Sequence, residues 1–233
     1  MSPYLYLLLN LGSVSVPLLY SILERKFYFI RYFKIAVISI VSVAVPFLIW
    51  DGIFTKNGIW GFDPDYFLGV KAFGMPIEEW LFFFCIPYAC LFTHEILKYH
   101  LPKFKLSKTI TLIISSSLIM IMGLLLILNY GKWYTTINFM LFILLVLYGL
   151  KYHLGTLQEY FPSFLVILLP FLLVNGILTG SFIDSSVIWY NDNENLGFRI
   201  FTIPLEDFFY AFNMLFPIQL IFNTLKKKFY AEA

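Results

Sequence analysis

The chain has 233 residues, 60% of them hydrophobic and only 13% charged, with a mean hydropathy of +0.81 and a formal net charge of +2. So sparse a charged surface excludes a water-soluble globular domain, and without a basic block there is no footprint for a nucleic-acid partner. The expected protein is an all-α, polytopic bundle in the cell membrane, with lipid as its immediate partner.

A membrane-spanning helix needs about 20 predominantly apolar residues. In chain order the candidate spans are 4–23, 35–50, 76–97, 109–128, 133–150, 164–182 and 204–225. The first lacks a basic leader and is too long for a cleaved signal, so it is expected to be retained. The second is the shortest. The fourth and fifth are separated only by a tight turn at Asn129 to Lys132. Two long loops, 51–75 and 183–203, are rich in Gly, Asp, Asn and aromatics. They read either as lids over the helix mouths or as solvated connectors, with Trp60 and Trp189 in the interfacial aromatic belt. Cys85 and Cys90 lie in one apolar run with neither disulfide nor metal-ligand spacing and read as reduced core residues. His94, His100 and His153 match no metal site and read as interfacial, so no metal is expected.

Shifting the chain by 128 residues lays the first three spans on the last three and leaves the fourth unmatched. Asn10 falls on Asn138, Tyr20 on Tyr148, Gly69 on Gly197, Pro76 on Pro204 and Glu78 on Glu206; with small gaps, Ile59-Trp60 meets Ile188-Trp189. The expected organisation is a three-helix repeat over 1–105, a linker helix in 106–131 and a second repeat over 132–233. Three spans reverse the chain across the membrane, so an odd linker helix lets the second copy insert the same way round as the first. Parallel repeats also occur in transporters, and topology alone leaves the function open.

The repeat carries a motif. Met75-Pro-Ile-Glu-Glu-Trp-Leu-Phe-Phe-Phe84 returns as Ile203-Pro-Leu-Glu-Asp-Phe-Phe-Tyr-Ala-Phe212. A charge at the centre of a spanning helix costs roughly 2.5–3.5 kcal/mol on insertion scales, less near its end. A structural role is available, because proline suits the first helical position and acids suit the positive end of the helix dipole. The doubling points to a chemical one. Helices 3 and 7 hold equivalent places, so their acids can converge near a pseudo-twofold axis beside the aromatic runs that begin at Trp80 and Phe208. Asn10 and Asn138 lie at a depth where they can orient the carboxylates, and Asn213 shares a helix face with Glu206. Adjacent helical positions diverge by about 100°, so one acid of each pair is expected to face a cavity while the other caps or braces.

The catalytic candidates are therefore Glu78, Glu79, Glu206 and Asp207, with Glu79 and Asp207 expected to matter comparably to Glu78 and Glu206 or somewhat less. Asn10, Asn138, Trp80, Phe208 and Asn213 are substrate-binding or orienting candidates. Paired carboxyl groups offer a proton donor and acceptor, and aromatic faces attract cations. No glycine-rich strand-to-helix fingerprint is present, so neither flavin nor nicotinamide is expected and the cofactor expectation is none.

These residues carry a resemblance. Pro76-Ile-Glu-Glu79 with its aromatic run, and Pro204-Leu-Glu-Asp207 with Phe208-Phe209, resemble the paired motifs of the small-membrane-subunit lycopene cyclases, in which two short subunits form a heterodimer or are fused into one chain. The resemblance to the fused form extends over nearly the whole sequence. It implies a redox-neutral isomerisation of an acyclic carotenoid such as lycopene. An acid protonates the terminal double bond, the cation is attacked by the C5=C6 double bond, and loss of a ring proton leaves a β-ionone ring. It also implies other enzymes of carotenoid synthesis as neighbours. A C50, ε or γ cyclase of the same family, and a small-solute transporter built as three plus one plus three helices like the SWEET sugar carriers, stand as alternatives.

Twelve of the sixteen Lys and Arg residues fall on the first, third and fifth loops and the C-terminal segment, against Lys56, Lys71, Lys132 and Arg199 on the other side. The positive-inside rule then places the N-terminus outside, the C-terminus in the cytoplasm and both acidic motifs at the outer face. Reporter fusions should find the C-terminus cytoplasmic. A C-terminus on the outer face would mean a miscounted span.

Overall fold

A computed structural model describes residues 3–230. Among these, seven helices are long and apolar enough to cross a membrane: α1 (Leu5–Leu23), α2 (Phe33–Lys56), α3 (Ile77–His100), α4 (Lys108–Leu128), α5 (Trp133–Tyr152), α6 (Leu154–Leu178) and α7 (Leu205–Tyr230). Two differ materially from the hydropathy reading. α2 continues six residues past residue 50, because Asp51 ends the apolar run without ending the helix. α6 begins ten residues before residue 164 and carries both Pro162 and Pro170 in its interior. Proline removes one backbone hydrogen bond, a loss that neighbouring helices and side chains can offset within a bundle.

The long loops are built, not merely solvated. They hold six short strands: β1 (Trp60–Phe62), β2 (Lys71–Ala72), β3 (Met75–Pro76), β4 (Ile188–Tyr190), β5 (Arg199–Ile200) and β6 (Ile203–Pro204). β2 pairs with β3, and β5 with β6, as hairpins that deliver the chain into α3 and α7. Phe73 and Gly74 at the first hairpin tip both have positive φ, 52° and 83°, as a tight two-residue turn requires. β1 and β4 pair with each other, antiparallel, in the register Trp60 to Tyr190, Gly61 to Trp189 and Phe62 to Ile188. Because 61 + 128 = 189, this pairing is symmetric about the Gly61–Trp189 pair, as a local twofold axis requires. The gapped match of Ile59-Trp60 to Ile188-Trp189 is thereby corrected, since β1 and β4 correspond without any gap.

Below the loops, α1 packs on α3 and α5 on α7, while α2 packs on α7 and α6 on α3. The second helix of each half thus lies against the third helix of the other half, and α3 and α7 meet in the middle. Lipid is as apolar as a helix surface, so close packing and interhelical hydrogen bonds hold such bundles, each bond contributing roughly 0.6 kcal/mol on average. Packing here is largely aromatic. Phe142, Phe212, Phe216 and Tyr160 form one continuous set of ring contacts between α5, α6 and α7. At the far end Lys226 Nζ lies 2.6 Å from Glu95 Oε2, and Gln219 Nε2 donates to Glu95 Oε1 at 2.8 Å, tying α7 to α3. His94 is not interfacial as expected. It is buried, with its ring 5.6 Å from that of Tyr160. Cys85 is buried and Cys90 half-buried, both as free thiols.

Gly61 is required by close approach. A Cβ at this position would meet Trp189 Cζ2 at 2.3 Å. Gly61→Ala should therefore strain the β1–β4 pairing, at about 1–3 kcal/mol for overpacking, and lower the thermal unfolding midpoint of the detergent-solubilised protein. An unchanged midpoint would show that the Trp189 ring swings aside freely.

Candidate active site

Each acidic motif begins a helix where a hairpin ends. Pro76 and Pro204 close β3 and β6, and the acids that follow occupy the first turns of α3 and α7, at the positive helix ends. Successive helical positions diverge, and the two acids of each motif separate accordingly. Glu78 and Glu206 are fully buried beneath the loops. The Leu68 N–H donates to Glu78 Oε1 at 2.9 Å, and the Leu196 N–H donates to Glu206 Oε1 at 2.7 Å. The Thr135 hydroxyl adds a 2.6 Å bond to the same Glu206 oxygen. These two acids fasten the loops to the helix starts.

Glu79 and Asp207 turn instead into a cavity of about 550 Å³, which Glu78 and Glu206 do not line. The Tyr6 hydroxyl donates to Glu79 Oε2, and the equivalent Tyr134 hydroxyl donates to Asp207 Oδ1 at 2.6 Å. Beyond that matched pair the environments differ. Asp207 Oδ2 also accepts from Asn175 Nδ2 at 2.8 Å and from the Tyr190 hydroxyl at 2.9 Å. The positions 128 residues earlier are Phe47 and Phe62, which have nothing to donate. On the Glu79 side the cavity is lined by another acid, Asp51 of α2. Burial, reinforced by the Asp207 charge, raises the Tyr190 phenol well above its ordinary pKa, so it remains a donor at neutral pH.

None of the ion pairs among the described residues involves Asp51, Glu79 or Asp207, whereas the buried Glu95 at the opposite end has Lys226. Buried acids kept without a cation are costly, and acids grouped in a cleft are candidates for chemistry. Aromatic faces surround them. The Trp60 ring lies 5.0 Å from that of Tyr134 and 6.3 Å from that of Tyr210, and Phe82, equivalent to Tyr210, also lines the cavity. Trp60 is thus buried over the cavity rather than placed in an interfacial belt, while Trp189 is 44% exposed.

Apart from Ser13 and Thr93, the rest of the cavity is largely apolar. Along α3 its lining runs from Glu79 to Thr93, fourteen residues further on, or about 21 Å of helix rise. Leu8 of α1 and Leu173 of α6 line it and are themselves 59% and 58% exposed. It therefore reaches the outer surface of the bundle, where a spanning protein meets lipid.

The other sequence candidates lie away from this cavity. Asn10 Nδ2 donates to the Glu78 backbone carbonyl at 2.8 Å and Asn138 Nδ2 to that of Glu206 at 2.6 Å, so they brace the first helical turns rather than orient carboxylates. Asn213 Nδ2 donates to Asn138 Oδ1 at 2.7 Å. Trp80 donates to the Ala72 carbonyl at 3.3 Å beside Phe73, and the Phe208 ring packs 5.1 Å from Phe171. Residues missed in the sequence are Asp51, Tyr6, Tyr134 and Tyr190. Tyr6 and Tyr134 carry a usable signal, since they are identical residues at matching positions of the repeat. Asp51 was hidden by its place at the edge of an apolar run.

If Glu78 and Glu206 fasten the loops, Glu78→Ala and Glu206→Ala should each remove the hydrogen bond to a loop N–H, at about 0.5–1.5 kcal/mol, and lower the thermal unfolding midpoint. Glu78→Gln and Glu206→Gln keep an acceptor oxygen and should stay close to the wild type. Alanine variants as stable as the wild type would contradict the fastening role.

Comparison with known proteins adds a decisive finding. The family model described as lycopene cyclase matches the chain twice, over residues 3–97 and 131–225. Both bounds are offset by 128 residues, the same shift that superposes the acidic motifs, and α4 lies outside both matches. No curated protein and no solved structure matched. With the matches covering most of its length, the chain belongs to the lycopene cyclase family, as a single chain carrying two copies of the family unit.

Proposed function

We propose that this protein cyclises the acyclic ψ-ends of lycopene to β-ionone rings, giving β-carotene, by cofactor-independent acid-base chemistry inside the membrane. Family membership implies a carotenoid substrate in a membrane setting. The observation that carries the finer reading is the convergence of Glu79 and Asp207, one from each copy of the motif, on one apolar cavity that reaches the lipid-facing surface. A carotenoid end enters from the bilayer between α1 and α6. One carboxyl group protonates its terminal double bond. The π electrons of the C5=C6 bond close the ring on the resulting tertiary cation, and the other carboxyl, as carboxylate, removes a ring proton. No electrons leave the substrate, and the proton taken up at the end is returned by exchange with water at the outer mouth before the next cycle.

The surrounding groups suit each step. Trp60, Tyr134 and Tyr210 offer aromatic faces to a cation for which hydrocarbon supplies no other stabilisation. The acids lie at one end of an elongated cavity, so the two ends of the substrate are cyclised in turn at one shared site. The doubled motif supplies two halves of that site, not two sites. We read residues 1–105 and 132–233 as repeats joined by a linker helix in 106–131, with the N-terminus outside and the C-terminus cytoplasmic in the cell membrane.

Expression in a lycopene-accumulating host, with pigment chromatography and immunoblotting for protein level, tests this reading. The wild type should convert lycopene to β-carotene. Glu79→Gln and Asp207→Asn should insert normally and lose roughly 10²- to 10⁴-fold in rate, the size of a general acid-base contribution, whereas Glu78→Gln and Glu206→Gln should retain most cyclisation. Full cyclisation by well-expressed Glu79 and Asp207 variants would remove both acids from the chemistry.

A further inference from the structure

The two halves of the cavity are symmetric in scaffold and unequal in charge. Asp51 is the source of the difference. It lies five residues before the end of α2 and is only 3% exposed. Trp60 Nε1 donates to its Oδ1, while Oδ2, on a side chain that lines the cavity, has no partner among the described residues. Glu79 of α3 and Tyr210 of α7 line the same cavity, and Tyr6 of α1 is joined to it by its hydrogen bond to Glu79. None of these is a cation. The equivalent position in the second half is Thr179, whose hydroxyl donates to the Asn175 carbonyl at 2.8 Å.

Resting on the cyclisation reading above, we infer that Asp51 shares one proton with Glu79 and so poises Glu79 as the proton donor, leaving Asp207 as the acceptor. Two carboxyl groups buried on one cavity without a cation resist carrying two negative charges, so one proton is retained between them. Glu79 has one hydroxyl donor, Tyr6, to stabilise a charge. Asp207 has three donors, Tyr134, Asn175 and Tyr190, and hydrogen bonds to the charged form favour it. The proton passes from Glu79 to the terminal alkene carbon as a C–H bond forms and the π bond breaks. The ring C–C bond then forms, and the C–H bond lost from the ring delivers its proton to Asp207. Asp51 touches the reaction through Glu79 and is a positioning residue.

The test compares Asp51→Asn, Asp51→Glu and Trp60→Phe with the wild type in the lycopene host, at matched membrane levels. Asparagine still accepts from Trp60 but supplies no acid. Asp51→Asn should lose at least 10²-fold in cyclisation, with its residual product keeping the wild-type ring type because Asp207 is untouched. Residual product from Asp207→Asn should shift in ring type. Asp51→Glu, which restores a carboxyl, should recover most of the activity, and Trp60→Phe should retain more than Asp51→Asn. Asp51→Asn cyclising within a few fold of the wild type would overturn the inference, as would Trp60→Phe losing as much, which would reduce Asp51 to a support for that ring. If Asp51→Asn does not accumulate, Asp51→Glu decides, and its inactivity at normal levels overturns the inference. A wild-type protein that forms no rings defeats the proposed function itself.

Discussion

The arrangement depends on holding Glu79 and Asp207 inside a membrane protein without a cation beside either. An unpaired buried charge is far costlier than a paired one, and this chain shows it can supply a pair where structure needs one, at Glu95 and Lys226. At the cavity it supplies hydroxyl and amide donors instead. A lysine there would fix a permanent charge pair and end any proton traffic. Donors that remain neutral leave each carboxyl free to change protonation state, as the proposed cyclisation requires. The loops follow from this need, because Tyr190 reaches Asp207 only by way of β4, and β4 is held by β1.

A repeated scaffold with unequal chemistry fits a reaction that needs both an acid and a base. The duplicated features are those of construction: the tyrosine bond to the cavity acid, the asparagine bond to the helix-start carbonyl, and the loop amide bond to the buried glutamate. The features that differ set the charge balance, Asp51 on one side, Asn175 and Tyr190 on the other. α2 and α6 each pack on both α3 and α7, and residues of both halves line the cavity.

Much of this was legible in the sequence. Length and apolarity determine seven spans, and the 128-residue shift reveals the repeat before any fold is known. The acidic pairs mark the first turns of α3 and α7. Which acid of each pair faces inward was not legible, because it depends on the rotation of α3 and α7 about their axes, set by packing of α1 and α5 that hydropathy does not record. Asn10 and Asn138 were placed near the acids, but only the fold shows them bonding to backbone. Asp51 escaped for a specific reason: a hydropathy window treats a charge as the end of a span, whereas here the helix continues to Lys56 and carries the acid into the interior.

The most direct measurement follows lycopene through the purified protein in lipid vesicles, with chromatography at successive times and one-ring carotenoid supplied in a parallel sample. If one cavity serves both ends, the one-ring product rises first and falls as the two-ring product appears, and the supplied one-ring carotenoid is carried to the same end product. Lycopene recovered unchanged from well-folded protein would contradict the assignment of this cavity to ring closure.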